Sequence, residues 1–236
     1  MPKNPTPTNW NPNFDSRPTS DVPRIRFSER FSVPYLEKRK RILEIGCGTG
    51  SYTRLIDRDG CLGLDIDINV IKIAKKYCKN SEFIVASALN LPFKREVFDL
   101  ICIWGVFEEI PAGTEKQIVL EVQRTLMRNA VFLLSAYNDH FVSKILDPAH
   151  IFRGVRHYNL QRFLNLFGEG GLIVSEFSVR GGLNTLIANF LFYFYKHILK
   201  RKEGSLKSFF DIRSADELNS DEDGIVYIFM AGYKRQ

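Results

Sequence analysis

Three glycines at alternate positions are the first residues in this chain whose spacing could serve chemistry. Gly46, Gly48 and Gly50 close the run that begins at Ile42 (ILEIGCGTG), directly after a short apolar segment. Glycine has no Cβ, so the backbone there turns sharply and a ligand can approach it closely. A dinucleotide loop places its third glycine one position later, where this chain has Ser51. The spacing therefore indicates a nucleotide-like ligand other than a dinucleotide.

A carboxylate follows the glycines at an informative distance. Asp65 ends a second apolar segment, Cys61–Asp65, and a carboxylate at that offset from the glycine loop can accept both hydroxyls of a ribose. The alternative is that Asp65 caps the next helix. Asp67 is the better candidate for that cap, which leaves Asp65 for the ligand.

The elements that must position these residues alternate along the chain. Apolar runs predict seven strands, and amphipathic stretches predict the helices between them. Such an order predicts an α/β fold with a doubly wound, mostly parallel sheet, whose ligands bind at the carboxyl ends of the strands. The predicted strands are 41–45, 61–65, 82–86, 98–103, 130–136, 172–179 and 225–233, and the predicted helices are 51–58, 69–79, 114–127 and 159–168. The start of helix 51–58 would add free N–H groups to the glycine loop.

Four ordered motifs resemble a known family. The run 41–55 resembles the first motif of class I S-adenosylmethionine-dependent methyltransferases, and 63–67 (GLDID) resembles the second. Residues 83–93 and 98–101 resemble the third and fourth motifs of the small-molecule methyltransferase type 11 group. Residues 121–126 resemble the helix that precedes the fifth strand. The resemblance covers 38–137 well and 157–179 loosely. It implies a Rossmann-like methyltransferase fold with S-adenosylmethionine as cofactor and S-adenosylhomocysteine as product.

The same resemblance implies a cofactor site. Ser87 stands where the family often has an aspartate near the adenine amino group, and Asn129 stands where a glycine turn is usual. Asparagine tolerates the left-handed conformation, so we expect the turn to survive. The implied contacts are Glu44, Gly46, Cys47, Gly48 and Gly50 around the methionine part, Asp65 on the ribose, Ile66 on the adenine face, Ser87, Ala88 and Leu89 at the adenine edge, and Trp104 and Phe107 beside the methyl group.

The methyl acceptor would lie in the loops after the later strands. Glu108 and Glu109 occupy positions where the group often has histidines, and His157 with Tyr158 matches a position near the acceptor pocket. These four are the catalytic candidates, since an acceptor that carries a proton needs a base. The alternatives are that the glutamates begin a polar helical turn and that the histidine is structural.

The rest of the chain divides into an N-terminal arm, 1–27, and a methyltransferase domain, 28–236. Within that domain, 137–158 is a long active-site loop and 180–223 is a helical insert before the last strand. Apolar residues recur at helical spacing over 183–202, with basic residues at the end. This segment is either a helix packed on the core or on a partner subunit, or a lid that contacts a lipophilic substrate or a membrane surface.

Composition limits the function classes. The 33 basic and 27 acidic residues give a net charge of +6, which is modest and dispersed, so no strong nucleic-acid signal is present. The four cysteines lack zinc spacing, and we expect no metal site. A cytoplasmic enzyme, monomeric or homodimeric, is expected, with peripheral membrane contact left open. The leading hypothesis is methylation of a small, lipophilic or aromatic acceptor at oxygen, nitrogen or carbon. The alternatives are an RNA or protein methyltransferase and an inactive cofactor-binding scaffold or regulatory subunit.

Overall fold

The computed structural model describes residues 23–195 and 205–234, and these form seven strands and eight α-helices. The strands are β1 (Ile42–Ile45), β2 (Cys61–Asp65), β3 (Glu82–Val85), β4 (Phe98–Trp104), β5 (Leu126–Tyr137), β6 (Leu172–Arg180) and β7 (Tyr227–Lys234). The helices are α1 (Pro23–Leu36), α2 (Ile68–Tyr77), α3 (Glu115–Thr125), α4 (Phe141–Leu146), α5 (Pro148–Arg153), α6 (Leu160–Glu169), α7 (Leu183–Tyr193) and α8 (Ser205–Asn219).

The strands form one sheet in the order β3-β2-β1-β4-β5-β7-β6. The first five in that order pair in parallel, and β7 runs antiparallel to both of its neighbours. Ile45 at the end of β1 lies beside Leu64 of β2 and Ile103 of β4. The loops that leave these three strands therefore share one edge of the sheet. The predicted doubly wound, mostly parallel sheet is confirmed.

Both faces of the sheet are buried, because side chains alternate along each strand and helices cover both sides. Leu43, Ile45 and Ile103 face a core that α3 and α6 close. Ile42, Leu100 and Cys102 face a second core, which receives residues of α1, α7 and α8. The predicted helical insert is thereby confirmed as part of the second layer.

The predicted helix 51–58 is wrong, since only a 3-10 turn forms at Thr53–Leu55. Tertiary contacts hold this segment in another shape. Tyr52 packs edge-to-face on Trp104, and the Thr53 hydroxyl donates a hydrogen bond to Glu44. So short a segment cannot sustain a helix against such contacts. The glycine loop consequently lacks the helix N-terminus that the sequence predicted for it.

The predicted boundary of the arm at residue 27 is also wrong, because α1 already begins at Pro23. Proline suits the first turn of a helix, where its missing N–H costs nothing. Phe27 then packs on Phe229 of the sheet with ring centroids 4.5 Å apart. Pro34 lies within the helix. The remainder of the predicted arm, 1–22, lies outside the described residues.

The predicted active-site loop 137–158 contains two short helices, α4 and α5. Both pack against α7, the first helix of the insert. The basic end of the predicted 183–202 helix lies outside the described residues, which stop at 195 and resume at 205. Across the described ranges, no helix is long and apolar enough to cross a membrane.

Candidate cofactor and acceptor site

The glycine loop makes its turn through three left-handed residues. Gly46, Gly48 and Gly50 have φ values of +71°, +53° and +79°, which favour glycine. A Cβ on Gly46 would collide with Val106, and one on Gly50 would lie 3.1 Å from Ala74. A Cβ on Gly48 would meet nothing within 4 Å. The open space in front of Gly48 is where a ligand can approach the backbone.

Asp65 ties the end of β2 to this loop. One carboxylate oxygen accepts from the Gly48 N–H at 2.9 Å, and the other accepts from the Asp67 N–H at 3.0 Å. Asp67 itself caps α2 by accepting from the Asn69 N–H, so the alternative cap role for Asp65 is wrong. Burial raises the pKa of Asp65. A half-buried carboxylate at the loop fits the predicted ribose contact.

Glu44 is a second carboxylate beneath the loop, and it is buried. Burial, together with the negative charge of Asp65, raises the pKa of Glu44 to about 8, although the hydrogen bond from Thr53 opposes this. A positive charge bound beside these two carboxylates would favour their ionised forms and would be stabilised by them. A sulfonium cofactor carries such a charge, so this donor set fits S-adenosylmethionine.

The adenine-side residues lie at the ends of β2 and β3. Ile66 is 55% exposed, which leaves its side chain available for a flat ring. The Ser87 hydroxyl accepts from the Leu89 N–H at 3.2 Å, so it shapes its own loop and retains capacity for one further bond. Ala88 is half-buried beside them. This arrangement is compatible with the predicted adenine contacts, which stay a prediction.

Two predicted contact residues, Cys47 and Phe107, point into the protein. The Cys47 side chain is buried, and the N–H groups of Gly46 and Cys47 both donate to the Leu64 carbonyl. Phe107 is fully buried, and its ring packs on Phe163 at 4.9 Å. Its ring therefore belongs to the core, which argues against the predicted contact with the methyl group.

Trp104 is also buried, at the end of β4, but its environment differs from that of Phe107. Its indole nitrogen has no hydrogen-bond partner within the described part of the chain. Buried donors of this kind are uncommon and indicate a missing partner. The predicted position of Trp104 near the ligand stays a prediction.

Glu108 and Glu109 lie on the loop after β4 but differ in environment. The Glu108 side chain is 2% exposed, and neither of its oxygens has a hydrogen-bond partner among the described residues. Burial raises its pKa to about 7, although the positive charge of Arg24 opposes this. Glu109 is half-exposed and forms an ion pair with Arg153 at 3.2 Å. Only Glu108 combines burial, an unsatisfied carboxylate and access to a cavity.

His157 does not have a nitrogen free to act as a base. Its Nδ1 lies 3.0 Å from the Asn138 carbonyl, and its Nε2 lies 3.0 Å from the Asp147 carboxylate. The Tyr158 hydroxyl donates to the Phe107 carbonyl at 2.5 Å. These contacts hold the connection from β5 to α6, and they favour the structural interpretation of both residues.

Arg24 is a site residue that sequence reasoning missed, because it falls in the segment taken for an arm. Its guanidinium lies 3.9 Å from Glu108, and a Cβ on Gly105 would meet it at 2.6 Å. No residue pattern links position 24 to the loop after β4. As for metals, no cluster of ligating side chains occurs within 23–195 and 205–234.

Comparisons with known proteins agree with this geometry. A family model described as a methyltransferase domain matches residues 42–129. Demethylmenaquinone methyltransferase of Thermotoga maritima is 29% identical over 160 residues, which are 64% of this chain and 64% of that protein. "Probable tRNA methyltransferase 9B" of Bos taurus is 28% identical over 139 residues, which are 55% of this chain and 29% of that protein. The chain thus matches less than two thirds of the length of these relatives.

A solved structure shares the fold across most of the chain. Geranyl diphosphate C-methyltransferase from Streptomyces coelicolor A3(2), in complex with S-adenosyl-L-homocysteine, superposes with a TM-score of 0.60 at 11% identity. The alignment covers 87% of this chain and 76% of that one. The sheet order and the glycine loop are shared with the S-adenosylmethionine-dependent methyltransferases, which this chain resembles. Residues 42–129 are thus similar to a methyltransferase domain, and S-adenosylmethionine is the cofactor that this similarity and the loop geometry support.

Proposed function

We propose that this enzyme methylates a small, apolar or aromatic molecule that enters a cavity beside the glycine loop. The observation that carries the proposal is the cavity, of about 190 Å³, into which Glu108 projects. The loop after β4 joins the two, since a Cβ on Gly46 would collide with Val106, and the preceding residue, Gly105, lines the cavity. An acceptor held there would lie next to the cofactor loop.

Residues on one side of the site would bind the cofactor, and a residue on the other side would act on the acceptor. Asp65, Glu44 and the open face of Gly48 would hold the cofactor, which supplies a methyl group on a positively charged sulfur. Glu108 would accept a proton from the acceptor on the other side. Holding both molecules in line supplies much of the rate enhancement for such a transfer.

The aromatic part of the cavity wall favours an acceptor that contains a ring. Helix α7 roofs it with Phe192 and Tyr193, and Tyr193 stacks on Phe152 of α5 with centroids 5.9 Å apart. Phe152 and Phe141, on the helices around the opening, are 70% and 75% exposed. An apolar molecule could therefore pass from this surface into the cavity, with α7 as its lid.

The cofactor half of the proposal is tested by calorimetry on matched variants. We expect Asp65→Ala to weaken S-adenosylhomocysteine binding by roughly tenfold to a hundredfold, because hydrogen bonds to a charged group are each worth about 1.5–3 kcal/mol. Asp67→Ala should cost about 1 kcal/mol of stability through the lost helix cap and leave affinity unchanged. Equal affinity in wild type and Asp65→Ala would contradict the assignment.

The acceptor half is tested by methyl-transfer screening with quinols, phenols, lipids and bulk tRNA. We expect turnover of small ring compounds. Activity on tRNA alone would replace the proposal with the RNA alternative, which one curated relative's name suggests. Cofactor binding without turnover in any pool would favour the inactive scaffold.

A further inference from the structure

The cavity beside Glu108 is built from five parts of the fold. It is lined by residues of α1, of the loop after β4, of the end of β5, of α5 with its flanks, and of α7. An adjoining cavity of about 90 Å³ shares Arg24, Tyr137, Asn189 and Phe192 with it. An apolar cavity of about 150 Å³ holds benzene. The space is therefore adequate for one substituted ring.

The other charged groups that face this cavity already have partners. Asp147 accepts from the Ala149 N–H at 2.9 Å and contacts His157 at 3.0 Å. Glu109 and Arg153 pair with each other. Glu108 differs, because both of its buried oxygens are without a hydrogen-bond partner in the described part of the chain. The backbone N–H groups of Glu108 and Tyr137 act to lower the pKa of this carboxylate, but neither completes a hydrogen bond to it. The carboxylate can therefore accept a further hydrogen bond from a ligand.

The positive charge of Arg24 limits which hydrogen-bond donor a ligand can place on Glu108. Its Nη1 lies 3.9 Å from a Glu108 oxygen, which is too long for a hydrogen bond but close enough for strong electrostatic interaction. The guanidinium also lies over the Tyr227 ring at 5.5 Å. A cationic ammonium group placed on Glu108 would be repelled by Arg24. A neutral hydroxyl that becomes an oxyanion would be stabilised by it.

We propose that this cavity binds an acceptor with a hydroxyl on a conjugated ring, a phenol or enol, whose proton passes to Glu108 while Arg24 pairs with the oxyanion. The O–H bond breaks, its electron pair stays on the ring oxygen, and the proton ends on a carboxylate oxygen. No net charge is created. This assignment rests on the proposed methyltransferase function and specifies the acceptor for the same site.

The pKa of Glu108 agrees with a role as the base that accepts the hydroxyl proton. Burial raises the pKa of Glu108 to about 7, close to the value that suits a base near neutral pH. A phenol has an ordinary pKa near 10, and an adjacent guanidinium lowers the pKa of such a hydroxyl. The facing groups are Arg24 of α1, Glu109 on the same loop, Tyr137 of β5, and Asp147 and Arg153 of α5 and its cap.

The test uses 4-nitrophenol, whose phenolate absorbs at longer wavelength than the phenol, with protein saturated with S-adenosylhomocysteine. We expect wild type to bind 4-nitrophenol at least tenfold more tightly than 4-nitroanisole, which lacks the proton, and to increase the phenolate fraction of the bound probe. Glu108→Gln and Arg24→Met should each lower that fraction to the value of the free probe at the same pH. Glu115→Gln and Arg26→Met, on residues outside the cavity, should behave as wild type.

Three results would overturn the assignment. These are equal affinity for 4-nitrophenol and 4-nitroanisole, an unchanged phenolate fraction in Glu108→Gln, and tighter binding of benzylamine than of 4-nitrophenol. Binding of S-adenosylhomocysteine is measured first, by calorimetry. If it fails, the proposed function fails and this assignment fails with it. If it succeeds and 4-nitrophenol shows no preference, only the acceptor assignment is wrong.

Discussion

Glu108 stores unfavourable electrostatic energy in the folded protein. Its ordinary pKa is near 4.5, and burial raises it to about 7 in the folded state. The folded protein therefore holds this proton more tightly than the unfolded chain does. The tighter binding of this proton contributes to the free energy of unfolding. That contribution is fully present below pH 4.5 and is lost as the pH rises through about 7.

We predict that Glu108→Gln stabilises the protein at pH 8 and changes little at pH 4.5. The expected gain is up to about 3 kcal/mol, from a pKa change of roughly 2.5 at about 1.36 kcal/mol per unit. Urea unfolding at the two pH values measures it. Glu169→Gln, an exposed carboxylate whose pair with Lys116 is at the surface, serves as the control with no pH-dependent gain. A destabilised Glu108→Gln at pH 8 would mean that the carboxylate has a structural partner.

At the residue scale, the sequence predicted features that depend only on residues near one another in the chain. The glycine spacing and the Asp67 cap are local patterns, and the structure confirms both. Asn129 adopts φ +59°, as its tolerance of the left-handed region predicts. Arg24 could not be found, because its contact with the loop after β4 depends on how α1 crosses the sheet.

At the scale of elements, α7 is held in place by a carboxylate from another helix. Glu217 of α8 accepts from the N–H groups of Gly182, Asn184 and Thr185 at 2.8–2.9 Å, where α7 begins. Burial acts to raise the pKa of Glu217, but the hydrogen bonds from Thr185 and Asn184 outweigh it and hold the pKa below its ordinary value. This contact fixes the roof of the acceptor cavity onto α8.

We predict that Glu217→Ala increases hydrogen exchange in α7 while α6 keeps its protection. The loss should be about 2 kcal/mol of local stability at neutral pH, because several N–H groups lose a charged acceptor. The effect should shrink as pH falls through the acid range, where the lowered pKa of Glu217 no longer adds stability. Asp216→Asn, one residue away and exposed, should leave exchange unchanged. Equal protection of α7 in both variants would contradict the capping role.

Strands were easier to predict than the segments between them. Buried parallel strands are continuous apolar runs, so β1, β2, β4 and β5 are visible in the sequence. The helix prediction for 51–58 was wrong because Tyr52 and Thr53 contact residues that are distant in the sequence, and these contacts override the helical pattern. Helices α4 and α5 have six residues each, too short for periodicity to show. The partners of His157 and Tyr158 also come from other elements, so the sequence pattern could not show them.

At the scale of the whole molecule, apolar side chains are concentrated on the surface of three mutually packed helices. Helices α4, α5 and α7 contact one another, and residues of α5 and α7 line the cavity. Their exposed large apolar residues are Phe141, Val142, Ile145, Leu146, Ile151, Phe152, Leu183 and Phe190. Patches of this kind mark interaction surfaces. Four basic residues follow α7 in the sequence, at 196 and 200–202, and they favour an anionic partner.

We propose that this face rests on an anionic lipid surface, and we predict co-sedimentation of the protein with phosphatidylglycerol vesicles. Binding to phosphatidylcholine vesicles should be weaker. The double variant Phe141→Gln, Ile145→Gln should lower the bound fraction at least tenfold, because inserting each side chain contributes about 1.5–3 kcal/mol. Phe177→Gln, an exposed residue on β6, is the control and should bind as wild type. If wild type stays in the supernatant, or if the double variant instead converts a dimer to a monomer, the face is not a membrane contact, and an acceptor must reach the cavity from solution.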